Sequence, residues 1–371
     1  MRNGFMNRER VGKQLGTALL FAVLSLFCCL ISAAGQKIID MPPPPPLPTP
    51  KPTPTPAPPK DDDFEIIKTS SNLVMIPASV TDSKGQPVRG LQATDFSIKE
   101  EGRPQEIAQI GDPEEVPLSI ALLIDVSGST NTRFDFEKAA AARFLKQVLK
   151  PADRASVFII DRTPVMGKAG ATAEDAANGL LSLQPAADKG PTAFFDTVVE
   201  AAQYLAGKAP ARDRKVILVI SDGVDNFSER IKKSIGTTFQ EQNSASAVTR
   251  EKVYGRALAE VLRDVQRADA VFYSINPSGN TMYLNVMTKR GQDGLQQVAE
   301  ATGGTAFVPD REEDLEGVFT QIAAELRAQY LLQYYSNSQA SGVQFRRVAV
   351  TMPARPELRM RARQGYYPKA K

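Results

Sequence analysis

Short, strongly apolar runs alternate along this chain with longer stretches in which apolar positions recur every three or four residues. The runs are Leu118–Ile124, Ala155–Ile160, Val216–Ile220, Ala270–Ile275 and Thr305–Val308. Their length and their content of Val, Ile and Leu suit strands buried on both faces. The intervening periodicity predicts helices over Phe136–Leu149, Ala173–Leu181, Phe194–Leu205, Ala257–Ala268, Gly294–Ala301 and Asp314–Arg327. A short extra strand at Thr163–Met166 is expected to fold back antiparallel after a tight turn. Alternating strand and helix builds an α/β fold: a doubly wound, mostly parallel, Rossmann-like sheet with helices on both faces. Ligands of such sheets bind beyond the carboxyl ends of the strands.

The flanks carry another pattern. Leu73–Ile76 and Ala78–Val80 read as strand, Asp82–Pro87 as a turn cluster, and Phe96–Glu100 alternates with period two before a second turn at Glu101–Pro104. This N-terminal stretch, 64–112, is too short to enclose a core alone. Three strand-like segments near the other end, Tyr330–Tyr335, Phe345–Met352 and Glu357–Tyr366, offer the missing surface. The expectation is a small, Ig-like β-sandwich module made from 64–112 and 329–371, beside a central domain of 113–328. Five tyrosines of the C-terminal segment, Tyr330, Tyr334, Tyr335, Tyr366 and Tyr367, are expected to pack within it. The polar stretch Phe227–Val253 is long for a connection. It reads as an excursion near the strand ends, partly helical or mobile.

Residues 1–35 have the order of a secretory signal. Arg8, Arg10 and Lys13 precede an apolar run from Leu15 to Ile31, and small residues follow at Ser32–Gly35. The alternative is an uncleaved membrane anchor, since the run is nearly long enough to span. Either way the rest of the chain is expected outside the cytoplasm: secreted, periplasmic or in the cell envelope. Cys28 and Cys29 both lie in this run, so a cleaved chain has no cysteine for a disulfide. Within the linker 36–63, twelve of the eighteen residues Pro42–Pro59 are proline. Such a segment forms a polyproline II rod of about 3.1 Å per residue, roughly 55 Å in all.

Charge and composition narrow the chemistry. The net charge of +3 sits in residues 1–35, where Arg2, Arg8, Arg10 and Lys13 face only Glu9. The remainder is balanced and gives no electrostatic footprint for nucleic acid. The chain has no histidine, which removes Ser-His-Asp and Cys-His catalysis and most zinc sites.

Three segments supply hard oxygen ligands where the fold needs them. The apolar run Leu118–Ile124 delivers Asp125, Ser127 and Ser129 into a loop before a helix. Lys189–Ala193 is a second loop before a helix and offers the Thr192 hydroxyl. Val216–Ile220 ends in Ser221-Asp222-Gly223 and offers the Asp222 carboxylate. Carboxylate and hydroxyl oxygens in this mixture suit Mg²⁺, or Mn²⁺ or Ca²⁺. The set Asp-x-Ser-x-Ser, then Thr, then Asp resembles the metal-ion-dependent adhesion site (MIDAS) of von Willebrand factor type A (VWA) domains, with all five positions matched in order. The resemblance implies that Ser127, Ser129 and Thr192 ligate directly, and that Asp125 and Asp222 act directly or through water. Asp225 and Asn226 read as a turn after the strand, and Asp196 as a complement to its helix N-terminus.

The flanks are similar to a secreted bacterial family, common in acidobacteria, with a related type A domain. The matching segments are Val80-Thr81-Asp82, Gly90-Leu91, Asp95-Phe96, Ala301–Gly304, Glu325–Tyr330 and Arg363–Tyr367. The biological role of that family is largely undefined; the metal-site resemblance, on an export-competent chain, implies an exported adhesion or protein-binding module, not an enzyme. Its partner would be a protein offering an Asp or Glu carboxylate to the bound ion, with membrane contact only if the N-terminal segment is retained. A metal-assisted hydrolase and a scaffold with a structural or empty metal site are the alternative readings.

Overall fold

The structure is a computed structural model that describes residues 73–127, 131–186, 190, 192–279, 286–338 and 344–368. The signal and proline-rod readings lie outside the described residues, as does Ser129. Among the described residues no helix is long and apolar enough to cross a membrane.

The chain runs through β1 (Leu73–Thr81), β2 (Ser97–Glu100), β3 (Arg103–Gln105), β4 (Ile107–Gly111) and β5 (Leu118–Asp125). It continues with α1 (Asn131–Val148), β6 (Arg154–Ile160), β7 (Val165–Ala171), α2 (Ala173–Leu181), α3 (Phe194–Lys208) and β8 (Arg214–Ile220). Then come α4 (Glu229–Ile235), α5 (Phe239–Ser244), α6 (Ala247–Arg267), β9 (Ala270–Ile275), α7 (Val286–Thr302), β10 (Ala306–Phe307) and α8 (Leu315–Arg327). The strands β11 (Tyr330–Tyr335), β12 (Arg346–Thr351), β13 (Arg359–Ala362) and β14 (Gly365–Tyr366) follow.

The central sheet has the order β10-β9-β8-β5-β6-β7. Every neighbouring pair is parallel except β6 and β7. From β5 the chain builds outward through β6 and β7, then returns to the other side of β5 with β8. This reversal leaves a crevice beyond the carboxyl ends of β5 and β8, where doubly wound sheets bind ligands. Alternate residues of β5 serve opposite layers. Leu122 and Ile124 pack with α1, α2 and α8, while Ala121 and Leu123 pack with α3, α6 and α7. Leu122, Leu123 and Ile124 are fully buried, and each such side chain contributes about 1.5–3 kcal/mol of burial energy. That apolar anchoring holds the end of β5, and the carboxylate on it, in place.

The flanking segments form two antiparallel sheets, β13-β1-β11-β4 and β14-β12-β2-β3. They share a core that includes Ile76, Phe96, Ile98, Leu332, Tyr334 and Val348. The register Leu73↔Tyr335 to Ala78↔Tyr330 joins the two flanks within one sheet. Arg214, at the start of β8, gathers the two points where the chain passes between this module and the central domain. Its guanidinium donates to the carbonyls of Leu326 at 2.6 Å, Pro113 at 2.8 Å and Val116 at 3.3 Å. The chain therefore enters and leaves the central domain side by side.

Some elements differ from the sequence reading. Glu357–Tyr366 is not one strand: β13 and β14 belong to different sheets, and Arg363 turns the corner between them by donating to the Met75 carbonyl at 2.6 Å. Tyr335 is exposed at the end of β11 rather than packed inside. The extra strand begins two residues later than expected and runs on to Ala171. The polar excursion is largely helical, because Ser246 caps α6 by accepting from the Thr249 N–H at 3.1 Å, well before the apolar periodicity starts.

Candidate metal centre

β5 is apolar until its last residue. There the Asp125 carboxylate turns the chain: Oδ1 accepts from the Ser127 N–H at 2.9 Å and from the Ser127 hydroxyl at 2.7 Å. This side-chain turn fixes the Asp-x-Ser spacing. Asp125 Oδ2 accepts from the hydroxyl of Ser221, at the end of β8, at 2.8 Å. The parallel pairing of β5 and β8, with Ile124 opposite Ile220, brings the two loops together.

The second loop is held by the third. The Thr192 N–H donates to Asn226 Oδ1 at 2.7 Å, and the Thr192 carbonyl accepts from the N–H groups of Asn226 and Phe227 at 3.2 and 3.1 Å. The next N–H, of Ala193, donates to the Asp161 carbonyl at 2.8 Å. So fixed, the Thr192 hydroxyl lies 3.0 Å from that of Ser127.

Asp222 follows β8, and its Oδ1 accepts from the Val224 N–H at 3.0 Å. Gly223 has φ +75°, and a Cβ there would lie 2.8 Å from the Gly291 carbonyl oxygen. A Cβ on Gly291 would lie 2.7 Å from the Asp222 carbonyl oxygen. The backbone of α7 therefore abuts the Asp222 loop directly, and neither glycine has room for a side chain.

Behind the loops sits Asp225, which is buried. Its carboxylate accepts from the Phe195 N–H at 2.6 Å, from the Ser228 N–H at 3.0 Å and from the Ser228 hydroxyl. Its backbone N–H donates to the Tyr254 hydroxyl at 2.8 Å, and its carbonyl accepts from that hydroxyl at 3.0 Å. Asp225 and Asn226 are thus the brace between the Thr192 loop, the Asp222 loop and α6, a larger role than a turn. Asp196 sits in the first turn of α3, as a complement to the helix N-terminus should, and also reaches beyond its own helix. Its carboxylate accepts from the Glu229 N–H at 2.7 Å and pairs with Arg230, which tethers α4.

Asp125, Ser127, Thr192 and Asp222 line one cleft of about 360 Å³ with Arg133, Glu137 and Asn226 among their neighbours. Four of the five expected ligands therefore converge. The electrostatics suit a divalent cation. Burial pushes the Asp125 carboxyl up to about 6, against hydrogen bonds from Ser127 and Ser221, and the charge of Asp222 raises it further. Burial also raises Asp222, against the Val224 N–H and the charge of Arg133. Two carboxylates with raised pKa values beside neutral hydroxyls form a hard-oxygen set for a divalent cation. Among the described residues there is no cluster of three or more His, Cys, Asp or Glu residues suited to a metal. Arg133 and Glu137 were missed by the sequence reading. Their i, i+4 spacing on α1 was the available signal.

No protein-family model matches the chain, and no curated protein matches it. Solved structures resemble it at low identity. The PilB minor pilin from Streptococcus sanguinis aligns over 57% of this chain and 62% of its own, at 14% identity and a TM-score of 0.42. The vWF domain of the type V pili tip protein Mfa5 from Porphyromonas gingivalis aligns over 56% of this chain and 94% of its own, at 13% identity and 0.40. Proximal thread matrix protein 1 from the mussel byssus, with a zinc-occupied MIDAS motif, aligns over 61% and 49%, at 14% identity and 0.41. The chain spans less than two thirds of the pilin and about half of the byssus protein.

Proposed function

We propose that the central domain is a type A binding module. It holds Mg²⁺, or Mn²⁺ or Ca²⁺, at Asp125, Ser127, Thr192 and Asp222, with Ser129 as the fifth ligand implied by the sequence. It captures a carboxylate of a protein partner outside the cytoplasm. The observation that carries this reading is the convergence of two raised-pKa carboxylates and two hydroxyls from three separate loops in one open cleft.

Each residue has a definable task. Asp125 and Asp222 balance a divalent charge without over-neutralising it. Ser127 and Thr192 add neutral oxygens. Ser221 holds Asp125 Oδ2, and Asn226 holds the Thr192 loop. A bound divalent cation would supply the positive point that a partner carboxylate meets. Binding is favoured over catalysis by the composition of the cleft. The chain has no histidine, and the nearby carboxylate Glu137 is engaged by Arg133 at 3.2 Å.

Isothermal titration of Mg²⁺ and Mn²⁺ into wild type and Asp125→Ala tests the first step. Binding heat in wild type and none in the variant is expected; equal heats in both would sink the assignment. Capture of a partner from cell-envelope extract, lost in EDTA, tests the second. Capture that persists in EDTA would favour a scaffold, and turnover of an ester or phosphoester substrate abolished by Asp222→Ala would favour a hydrolase.

A further inference from the structure

We infer that Arg133 is the second anchor of the cleft, whose guanidinium fork takes the carboxylate oxygen that a bound cation leaves free. The inference rests on the metal-dependent binding proposed above and names what selects the ligand.

Arg133 lies in the first turn of α1 and lines the same cleft as Asp125, Thr192 and Asp222. Its side chain is 30% exposed, so it faces the opening rather than the core. Its Nε–H donates to Glu137 Oε1 at 3.2 Å, one helical turn away. Glu137 is itself 1% exposed and cannot follow solvent. The guanidinium plane is thus held from behind. Among the described residues no hydrogen bond engages its two terminal nitrogens, which are the atoms that grip carboxylates.

A guanidinium beside a divalent cation is costly if cation binding is the whole purpose of the cleft, because like charges repel. An anion that bridges the two positive groups removes that cost. A carboxylate suits this bridge. One oxygen meets the cation, and the other needs a donor that a planar, permanently charged guanidinium supplies. A neutral amide of the same shape lacks the second anionic oxygen. The cleft should therefore prefer an Asp, Glu or C-terminal carboxylate over Asn, Gln or a backbone carbonyl.

The test uses the full chain loaded with Mn²⁺, read by water-proton relaxation, with acetate and acetamide as probes. In wild type, acetate displaces Mn²⁺-bound water and lowers the relaxivity, and acetamide does so far more weakly. In Arg133→Gln, Mn²⁺ should bind as tightly or more tightly, since a repelling charge is gone. Acetate should bind at least about tenfold more weakly, the range for a lost charge-assisted hydrogen bond. Arg133→Lys keeps the charge without the fork and should fall between. Unchanged acetate affinity in Arg133→Gln overturns the inference. So does a parallel loss of Mn²⁺ and acetate binding, which would mark Arg133 as merely structural. Mn²⁺ binding in wild type with no effect of Arg133→Gln on acetate leaves the metal site standing and removes this role alone. Failure of wild type to bind Mn²⁺ removes both.

Discussion

Two clusters of buried polar groups, one in each module, solve the same electrostatic problem in opposite ways. In the β-sandwich, Glu100 is 2% exposed. Its carboxylate accepts from the Tyr334 and Tyr366 hydroxyls at 2.8 and 3.2 Å and from the Ser336 hydroxyl at 2.8 Å. Arg346 supplies the counter-charge at 3.4 Å. In the cleft, Asp125 faces serine hydroxyls and another carboxylate, and among the described residues no ion pair answers it. A carboxylate answered by the chain itself is a strut. One left short of positive charge is, on the proposed function, a receptor for a cation from solution.

The sharpest way to break this comparison is to neutralise one carboxylate in each cluster. Glu100→Ala removes the carboxylate that balances Arg346 and accepts from Tyr334, Tyr366 and Ser336, and should cost about 3–5 kcal/mol of stability in urea unfolding, while Mg²⁺ affinity is unchanged. Asp222→Asn should do the reverse. Burial raises the Asp222 pKa, so the ionised side chain is a burden in the metal-free fold. The amide keeps the acceptor for the Val224 N–H, and the variant should melt higher in EDTA while losing Mg²⁺ affinity by well over tenfold. If both variants lose stability alike, the two clusters are not different in kind.

A smaller effect is expected one step from the ligands. Asn226→Ala removes the acceptor of the Thr192 N–H. Mg²⁺ affinity should fall about tenfold or more, as for other groups that orient ligands, with a loss of only about 1–2 kcal/mol in unfolding. Asn226→Asp retains the acceptor and should restore most of the affinity in the same titration.

The smallest effect is in pH. In EDTA, native Asp125 keeps its proton up to about pH 6, whereas the unfolded chain loses it near the ordinary 3.8. The native state therefore binds more protons between those values, and this contribution to stability falls as pH rises through the window. Asp225, also pushed up to about 6 by burial, acts in the same direction. With Mg²⁺ bound, Asp125 is ionised in the native state and its share of the slope disappears, leaving that of Asp225. Thermal melts from pH 4 to 7 with and without Mg²⁺ measure the difference. Mg²⁺ affinity should also weaken below about pH 6, as protons compete for Asp125.

The central sheet was legible because strands buried on both faces must be apolar throughout. Leu118–Ile124, Val216–Ile220 and Ala270–Ile275 leave no other reading. The edge strand β7 was legible only in part: its existence and antiparallel direction were expected, but its extent to Ala171 was not, since its exposed Val165-Met166-Gly167-Lys168 lacks any alternation. The first part of α6 was hidden for a related reason: Ala247–Val253 has few buried positions, and a polar cap rather than a core starts the helix. In the site, Asp125, Ser127 and Asp222 could be placed from strand ends, and Thr192 from the loop before a helix. The hydrogen bonds of Ser221, Asp225 and Asn226 could not. They depend on which loop faces which, and that is decided by the order of strands in the sheet. The tyrosines show the limit within one strand, where Tyr334 is fully buried and Tyr335 beside it is exposed, as period two requires.

Because β1 pairs with β11, the sandwich cannot close until the chain between them has been made. At ribosomal rates of about 5–20 residues per second, that wait is on the order of tens of seconds. Throughout it, the apolar side chains of Val74, Ile76 and Ala78 have no sheet to join. A synthesis intermediate that stops short of Tyr330 offers an unpaired edge for other chains or a chaperone to grip. The β-module is in this sense a seal: its closure reports that the domain carrying the cleft has been completed.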